Sequence, residues 1–367
     1  MRDREHYFRG VISGRERGIG PAALRGAARL AEPFYGVGVR LRNWTFDARI
    51  RRVHAAPRPV VCVGNMTTGG TGKTPVVRWL AEELRRRGHR PAVLLRGYKG
   101  DAARDGAVEG DEQVLLEEQL RDSALPAIPV VADPDRARGA RRALAIDSQV
   151  SVFLLDDGFQ HRRLHRDFDL VLIDASNPFG HGHLLPRGLL REPLGGLKRA
   201  HGLLLTHVES VADSRVGEIE RELRRHNAFA PLYRCRHEHG QFGAAAGRHD
   251  AAELRGRRYL VFCGIGNPES FTRQLESTGG RGSAMRFFDD HHAYTESDVA
   301  ELENLARSTA SDVMITTEKD WVKLRRLPRA ATVQPPVWRA ELSIRFVNDD
   351  GSKLVDQVIS RVGEGSR

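Results

Sequence analysis

A lysine followed by a hydroxyl residue and reached through a run of glycines suits the binding of phosphates. The chain has one such arrangement in VVCVGNMTTGGTGKTPVVRWLAEEL, residues 60–84. Gly69, Gly70 and Gly72 let backbone N–H groups turn toward phosphate oxygens, and the start of the following helix adds its partial positive charge. Lys73 is placed to reach β- and γ-phosphates and the Thr74 hydroxyl to coordinate Mg²⁺. Together with Thr67, Thr68 and Thr71 these residues are the expected nucleotide cradle. Thr67 departs from the general G-x-x-x-x-G-K-[ST] pattern, which has glycine there. The acidic partner that magnesium needs is expected in VSVFLLDD, residues 150–157, where an apolar run ends in Asp156 and Asp157. Paired aspartates after a strand are commonly turn formers. Beside a phosphate loop, one is expected to hold the metal and the other to position it or the attacking group.

These groups must be carried by regular elements. Short apolar runs at residues 59–63, 92–95, 128–132, 150–155, 170–173 and 203–206 read as buried strands, with helical periodicity between several of them at 75–87, 111–121 and 134–146. Such alternation predicts a mainly parallel sheet covered by helices on both faces. A second set follows, with strands at 259–263, 284–288, 312–316 and 337–346 and helices at 268–277, 295–307 and 353–362. The expected fold is therefore α/β: a P-loop NTPase-like parallel domain at 58–230 and a smaller α/β domain at 231–367, preceded by a basic segment at 1–57. Residues 241–256, rich in Ala, Gly and charge, read as a surface excursion outside the core.

With 367 residues, 40% hydrophobic and 29% charged, the composition excludes a disordered, collagenous or coiled-coil chain. Cys62, Cys235 and Cys263 are too scattered for a disulfide scaffold or a zinc ribbon, and the paired histidines lack further ligands at structural-zinc spacing. The net charge of +10 is uneven, since residues 1–58 hold 13 Arg against 5 acids. Leu24, Ala27, Ala28, Ala31, Phe34 and Tyr35 fall there at helical spacing among arginines, with no apolar run long enough to cross a bilayer. These residues alone fit both a helix lying on a membrane and a solvated basic helix packed on its own domain. No aromatic ribonucleoprotein motif or Cys/His finger supports nucleic-acid binding.

Further blocks are more particular: RGYKG at 96–100, GDE at 110–112, DDGFQHRRLHRDFDLVLIDA, GHGHLLPRGLLREP, GIGNPESF, FFDDHHAYTESD and ITTEKDWVKL. In this order, from about residue 42 to about residue 324, the chain resembles the tetraacyldisaccharide 4'-kinase (lipid A 4'-kinase) family, which also has Thr at the position of Thr67. The resemblance implies transfer of the γ-phosphoryl group of ATP, with Mg²⁺, to the 4'-hydroxyl of an acylated glucosamine disaccharide 1-phosphate, giving lipid IVA. It implies two α/β/α units and a basic helix at the cytoplasmic face of the bacterial inner membrane; neither a nucleic-acid nor a protein partner is expected. It assigns the base pair to Asp111 and His291, with His292 adjacent, and puts Arg136, Gln160, His161, Arg191 and Glu192 near the cleft. The N-terminal helix here is richer in Ala, Gly and Arg than the Leu-rich form of the family, so attachment leans on charge, at roughly 1 kcal/mol per basic residue near an anionic surface. A partitioning or septum-site ATPase would carry Lys where this chain has Thr68. A kinase of soluble sugars would have an N-terminus that leaves membranes alone.

Overall fold

The computed structural model describes residues 3–69, 71–97, 111–121, 125–244, 247–265, 268–276, 278–289 and 292–364. The side chains of residues 3–6, 9, 111, 112, 270 and 364 lie outside that description. The chain forms two compact units, one of Arg9–Arg236 with Ile344–Arg367, the other of Met1–Phe8 with His237–Ser343.

The first part of the chain runs α1 (Asp3–Ser13), α2 (Ile19–Asp47), β1 (Val60–Asn65), α3 (Lys73–Arg86), β2 (Pro91–Leu95), α4 (Asp111–Gln119), β3 (Val130–Ala132), α5 (Arg136–Ile146), β4 (Val152–Asp156), β5 (Phe168–Asp174), β6 (Gly202–Thr206) and α6 (Asp213–His226). The strand order is β6-β5-β1-β4-β2-β3, all pairs parallel. The continuous apolar runs follow from burial on both faces. In β1, Val60 and Cys62 enter one core with Phe153 and Leu155 of β4, while Val61 and Val63 enter the other with Val152 and Leu154. Helices close both sides. Val76, Val77, Leu80, Ala81 and Leu84 bury one stripe of α3, and Ala140 and Ala143 of α5 with Val216, Ile219 and Leu223 of α6 cover the opposite face. Arg85 and Arg86 end α3, where cations complement the helix dipole.

The remainder is β7 (Leu232–Ala244), β8 (Gly247–Asp250), β9 (Arg258–Cys263), α7 (Pro268–Glu276), β10 (Arg281–Phe287), α8 (Glu296–Ser308), β11 (Val313–Thr317), α9 (Glu318–Leu324), β12 (Val337–Phe346) and α10 (Asp350–Glu364). Residues 232–234 of β7 extend the first sheet beside β6. The smaller unit has the parallel order β10-β9-β11-β12.

Two expectations change. Residues 241–256 are not a surface excursion: β7 and β8 pair antiparallel as a hairpin, and Phe242 and Leu254 are fully buried with Tyr259 and Trp338. Small and charged neighbours mask the single inward face that such a hairpin needs. The last helix, counted by sequence with the second domain, instead packs Leu354, Val355 and Val358 into the core of α3 and β1. At the N-terminus, α2 spans 29 residues, about 44 Å at 1.5 Å per residue.

Candidate active site

The site begins at the carboxyl end of β1. After Asn65 the chain leaves the strand, with Gly69 at φ 130° and Gly72 at φ 76°, conformations that cost a residue with a Cβ. Gly72 caps α3, which brings Lys73 and Thr74 into its first turn. Thr67 needs no positive φ, because it forms an antiparallel bridge with Leu190, supported by Thr68 N–H to the Leu189 carbonyl at 2.8 Å and Arg191 N–H to that of Met66 at 2.8 Å. This bridge explains why glycine is dispensable at the position where the general pattern has it. Gly70 lies outside the described residues.

The register of β1 against β4 sets Val63 beside Asp156, so the two aspartates emerge next to the loop. Thr74 Oγ1 lies 3.4 Å from Asp156 Oδ2. Lys73 Nζ is 3.5 Å from Asp157 Oδ1, and Arg191 Nη1 donates to both oxygens of Asp157 at 2.9 and 3.0 Å. Burial alone would raise the Asp157 carboxyl, but Lys73 and then Arg191 outweigh it and hold it below the ordinary range. Asp157 itself takes φ 52°, a left-handed turn that ends the strand sharply. The Asp156 carboxylate and the Thr74 hydroxyl are hard oxygen donors side by side. That set fits Mg²⁺, which is bound by one or two carboxylates together with waters and phosphate oxygens.

Arg136 is 3% exposed; burial and then Arg96 depress its guanidinium, opposed by Asp156 and Asp157. Its Nη1 donates to the Asp133 carbonyl at 2.7 Å, while its Nε has no hydrogen-bond partner among the described residues. His161 is pushed down to about 4 by burial and then by Arg136, so it is neutral near pH 7. Gln160 Nε2 donates to the Asn65 carbonyl at 2.8 Å and to Glu192 Oε1 at 3.0 Å. Glu192, 1% exposed, also accepts from Arg199 at 2.7 Å and from Asn43 of α2 at 3.2 Å.

The cradle, Asp156, Asp157, Gln160, Arg191 and Glu192 thus form one connected group in one unit, with Arg136 and His161 bearing on it electrostatically. Asp111 opens α4, but its side chain is outside the description, as is His291 altogether. The neighbouring His292 bonds Asp298 Oδ2 through Nε2 at 3.1 Å and stacks on Phe288. Sequence reasoning missed Asn65, whose Nδ2 donates to Thr71 Oγ1 at 3.0 Å, and Thr206, whose hydroxyl donates to the Thr71 carbonyl at 3.1 Å. The available signal was a polar residue closing a buried strand, β1 in one case and β6 in the other.

Comparisons with known proteins agree over most of the length. The family model described as tetraacyldisaccharide-1-P 4'-kinase matches residues 27–362. A curated relative from Syntrophus aciditrophicus, a tetraacyldisaccharide 4'-kinase, is 39% identical over 323 residues, covering 81% of this chain and 84% of its own. One of the same name from Geobacter metallireducens is 40% identical over 310 residues, covering 79% and 86%. The solved structure of LpxK from Aquifex aeolicus in complex with ATP superposes with a TM-score of 0.71 at 27% identity, covering 92% of this chain and 99% of that one.

Proposed function

The chain belongs to the tetraacyldisaccharide 4'-kinase family, and from that premise we propose which of its residues perform the transfer and where it takes place. It is an ATP-dependent kinase that moves the γ-phosphoryl group to the 4'-hydroxyl of an acylated glucosamine disaccharide 1-phosphate, forming lipid IVA.

Phosphoryl transfer is mainly positioning and neutralisation of oxygen charge. The loop from Thr67 to Thr74 is the triphosphate cradle, with Lys73 the cation on the β- and γ-phosphates. Thr74 and Asp156 are the residues that would hold Mg²⁺, whose contribution when bound is to neutralise developing charge on the phosphate oxygens. Asp157 keeps Lys73 and Arg191 oriented before substrate arrives, so that less reorganisation accompanies the reaction. Arg191 and Arg136 suit phosphate oxygens because a planar guanidinium fork binds two at once. Gln160, His161 and Glu192 line or brace the acceptor side; both oxygens of Glu192 are engaged internally, which favours bracing. Asp111 and His291 remain the assigned proton-accepting pair on the strength of the family motif, since a carboxylate-oriented imidazole accepts protons well near neutrality.

The acceptor is a lipid, and α2 offers a surface for its bilayer. Leu30, Phe34, Val37, Leu41 and Trp44 are exposed along one side. Among the described residues no helix is long and apolar enough to cross a membrane. We place the enzyme peripherally, at the cytoplasmic face of the bacterial inner membrane, with no protein or nucleic-acid partner required.

The observation that carries the site assignment is the Lys73–Asp157–Arg191 triad beside Thr74 and Asp156, at the carboxyl edge of a parallel sheet. The test is incubation with γ-labelled ATP, Mg²⁺ and a monophosphorylated acyl-disaccharide, followed by chromatography of the lipid. Label in the lipid, lost in Lys73→Met and Asp156→Asn, supports the assignment. A fully active Asp156→Asn enzyme removes Asp156 from the metal set, and near-normal turnover of Asp111→Ala removes Asp111 from the base pair.

A further inference from the structure

Helix α2 has two working faces. At 3.6 residues per turn, its exposed apolar stripe lies about 180° from a second side made by Glu32, Tyr35, Gly36, Asn43 and Phe46. That second side is bonded to the site. The Tyr35 hydroxyl donates to the Arg191 carbonyl at 2.9 Å, and Asn43 Nδ2 donates to Glu192 Oε2 at 3.2 Å. Glu32 accepts from the Leu184 N–H at 3.1 Å and from Arg187 at 3.1 Å, and the backbone of Gly36 lies so close to Leu184 that an added Cβ would sit 3.1 Å away. The residues so held are those that grip the cradle. Arg191 binds Asp157 through its guanidinium and the Met66 carbonyl through its N–H, while Glu192 reaches the Asn65 carbonyl through Gln160. One hydrogen bond therefore joins the helix to the arginine that shares Asp157 with Lys73.

We propose that Tyr35 and Asn43 are positioning residues for phosphoryl transfer. Through Arg191 and Glu192 they make the nucleotide site respond to the seating of α2, so that a bilayer under the outer face tightens the hold on ATP. The proposal rests on the membrane-surface reading above and adds to it a coupling between that surface and the cradle. Its physical basis is that a helix restrained at an interface has already lost motion that the nucleotide would otherwise have to quench, so the second ligand meets a site that is already ordered. Linkage makes the effect reciprocal, with ATP strengthening vesicle binding by the same factor.

The test uses the full chain, Mg²⁺–ATP and vesicles of phosphatidylglycerol and phosphatidylethanolamine that contain no acceptor lipid. Calorimetry gives the ATP dissociation constant with and without saturating vesicles, and cosedimentation gives vesicle binding with and without ATP. The expected result is about fivefold tighter ATP binding on vesicles, matched by fivefold tighter vesicle binding with ATP. In Tyr35→Phe/Asn43→Ala this factor falls to one although the protein still sediments with vesicles. Loss of packing alone does not erase a ratio measured within one variant, and Tyr35→Phe, which removes a single oxygen, gives the same comparison if the double variant folds poorly. A vesicle-bound wild type with unchanged ATP affinity overturns the coupling and leaves the membrane reading standing. A factor that persists in both variants overturns the role of the two residues. A wild type that binds no vesicles overturns both readings together.

Discussion

At the scale of residues, the site is organised around Asp157, where burial is outweighed by two cations. Removing Lys73 takes away the cation proposed to meet the phosphates but leaves Arg191 on Asp157, so catalysis is expected to suffer and the fold is not. Lys73→Met is predicted to lower kcat/KM by about 10²- to 10³-fold with little change in the urea midpoint, read by label transfer and denaturation in parallel. Glu192 is the reverse case. Its carboxylate satisfies Gln160, Arg199 and Asn43 at once, and Arg199 also lies over the Phe159 ring. Glu192→Leu strands these donors and should cost about 2–3 kcal/mol in urea unfolding; a neutral result would mean that the donors find water instead. That Lys73, Thr74 and the two aspartates stand together was legible because a strand, a glycine turn and a helix start are local signals. Asn65 and Thr206 were not, because an Asn or Thr that ends a buried strand looks the same whether it faces water or a neighbouring loop.

At the scale of elements, amphipathicity decided what the sequence revealed. The outer stripe of α2 was partly visible as helical spacing, whereas its inner face was not, because the side chains of Glu32, Tyr35 and Asn43 meet partners at residues 183–192, far along the chain. Charge at Phe34 or Trp44 should loosen binding to anionic vesicles about tenfold or more in cosedimentation, since each forfeits the burial of a large aromatic. Unchanged partition of Phe34→Glu and Trp44→Glu would move the membrane contact elsewhere. Strand β7 carries a pH dependence. His239 is pushed down to about 4 by burial, against the opposing bonds of the Glu341 carbonyl and Gln274, and its ring meets Phe271 edge-on. Its folded pKa lies below the unfolded value of about 6.5, so the unfolded chain takes up the proton first as the pH falls. The stabilisation is full above about 6.5 and is lost toward 4, worth up to about 3 kcal/mol. Urea unfolding of the smaller unit across that window should show the decline, and His239→Gln should flatten it.

At the scale of the whole molecule, the unit that holds the glycine loop is assembled from two separate stretches of chain, Arg9–Arg236 and Ile344–Arg367. Leu354 and Val358 of α10 sit in the same core as Val76 and Leu80 of α3. Leu354→Ala should therefore cost about 2–5 kcal/mol and lower the stability of the nucleotide unit, although it lies some 280 residues from Lys73. Protection of α3 amides in hydrogen exchange reports this directly; if only α10 itself loosens, the shared core is not cooperative. The sequence by itself determined the parallel α/β character, the glycine turn between β1 and α3 and the aspartates at the end of β4, because hydrophobic periodicity and turn chemistry act between near neighbours. Only the tertiary structure decided that Arg191 meets Asp157 across 34 residues, that α2 is bonded to the loop beside the cradle, and that the last helix returns to the first core. These pairings depend on the path of the chain, and polar residues carry no periodic mark of the partner they will meet.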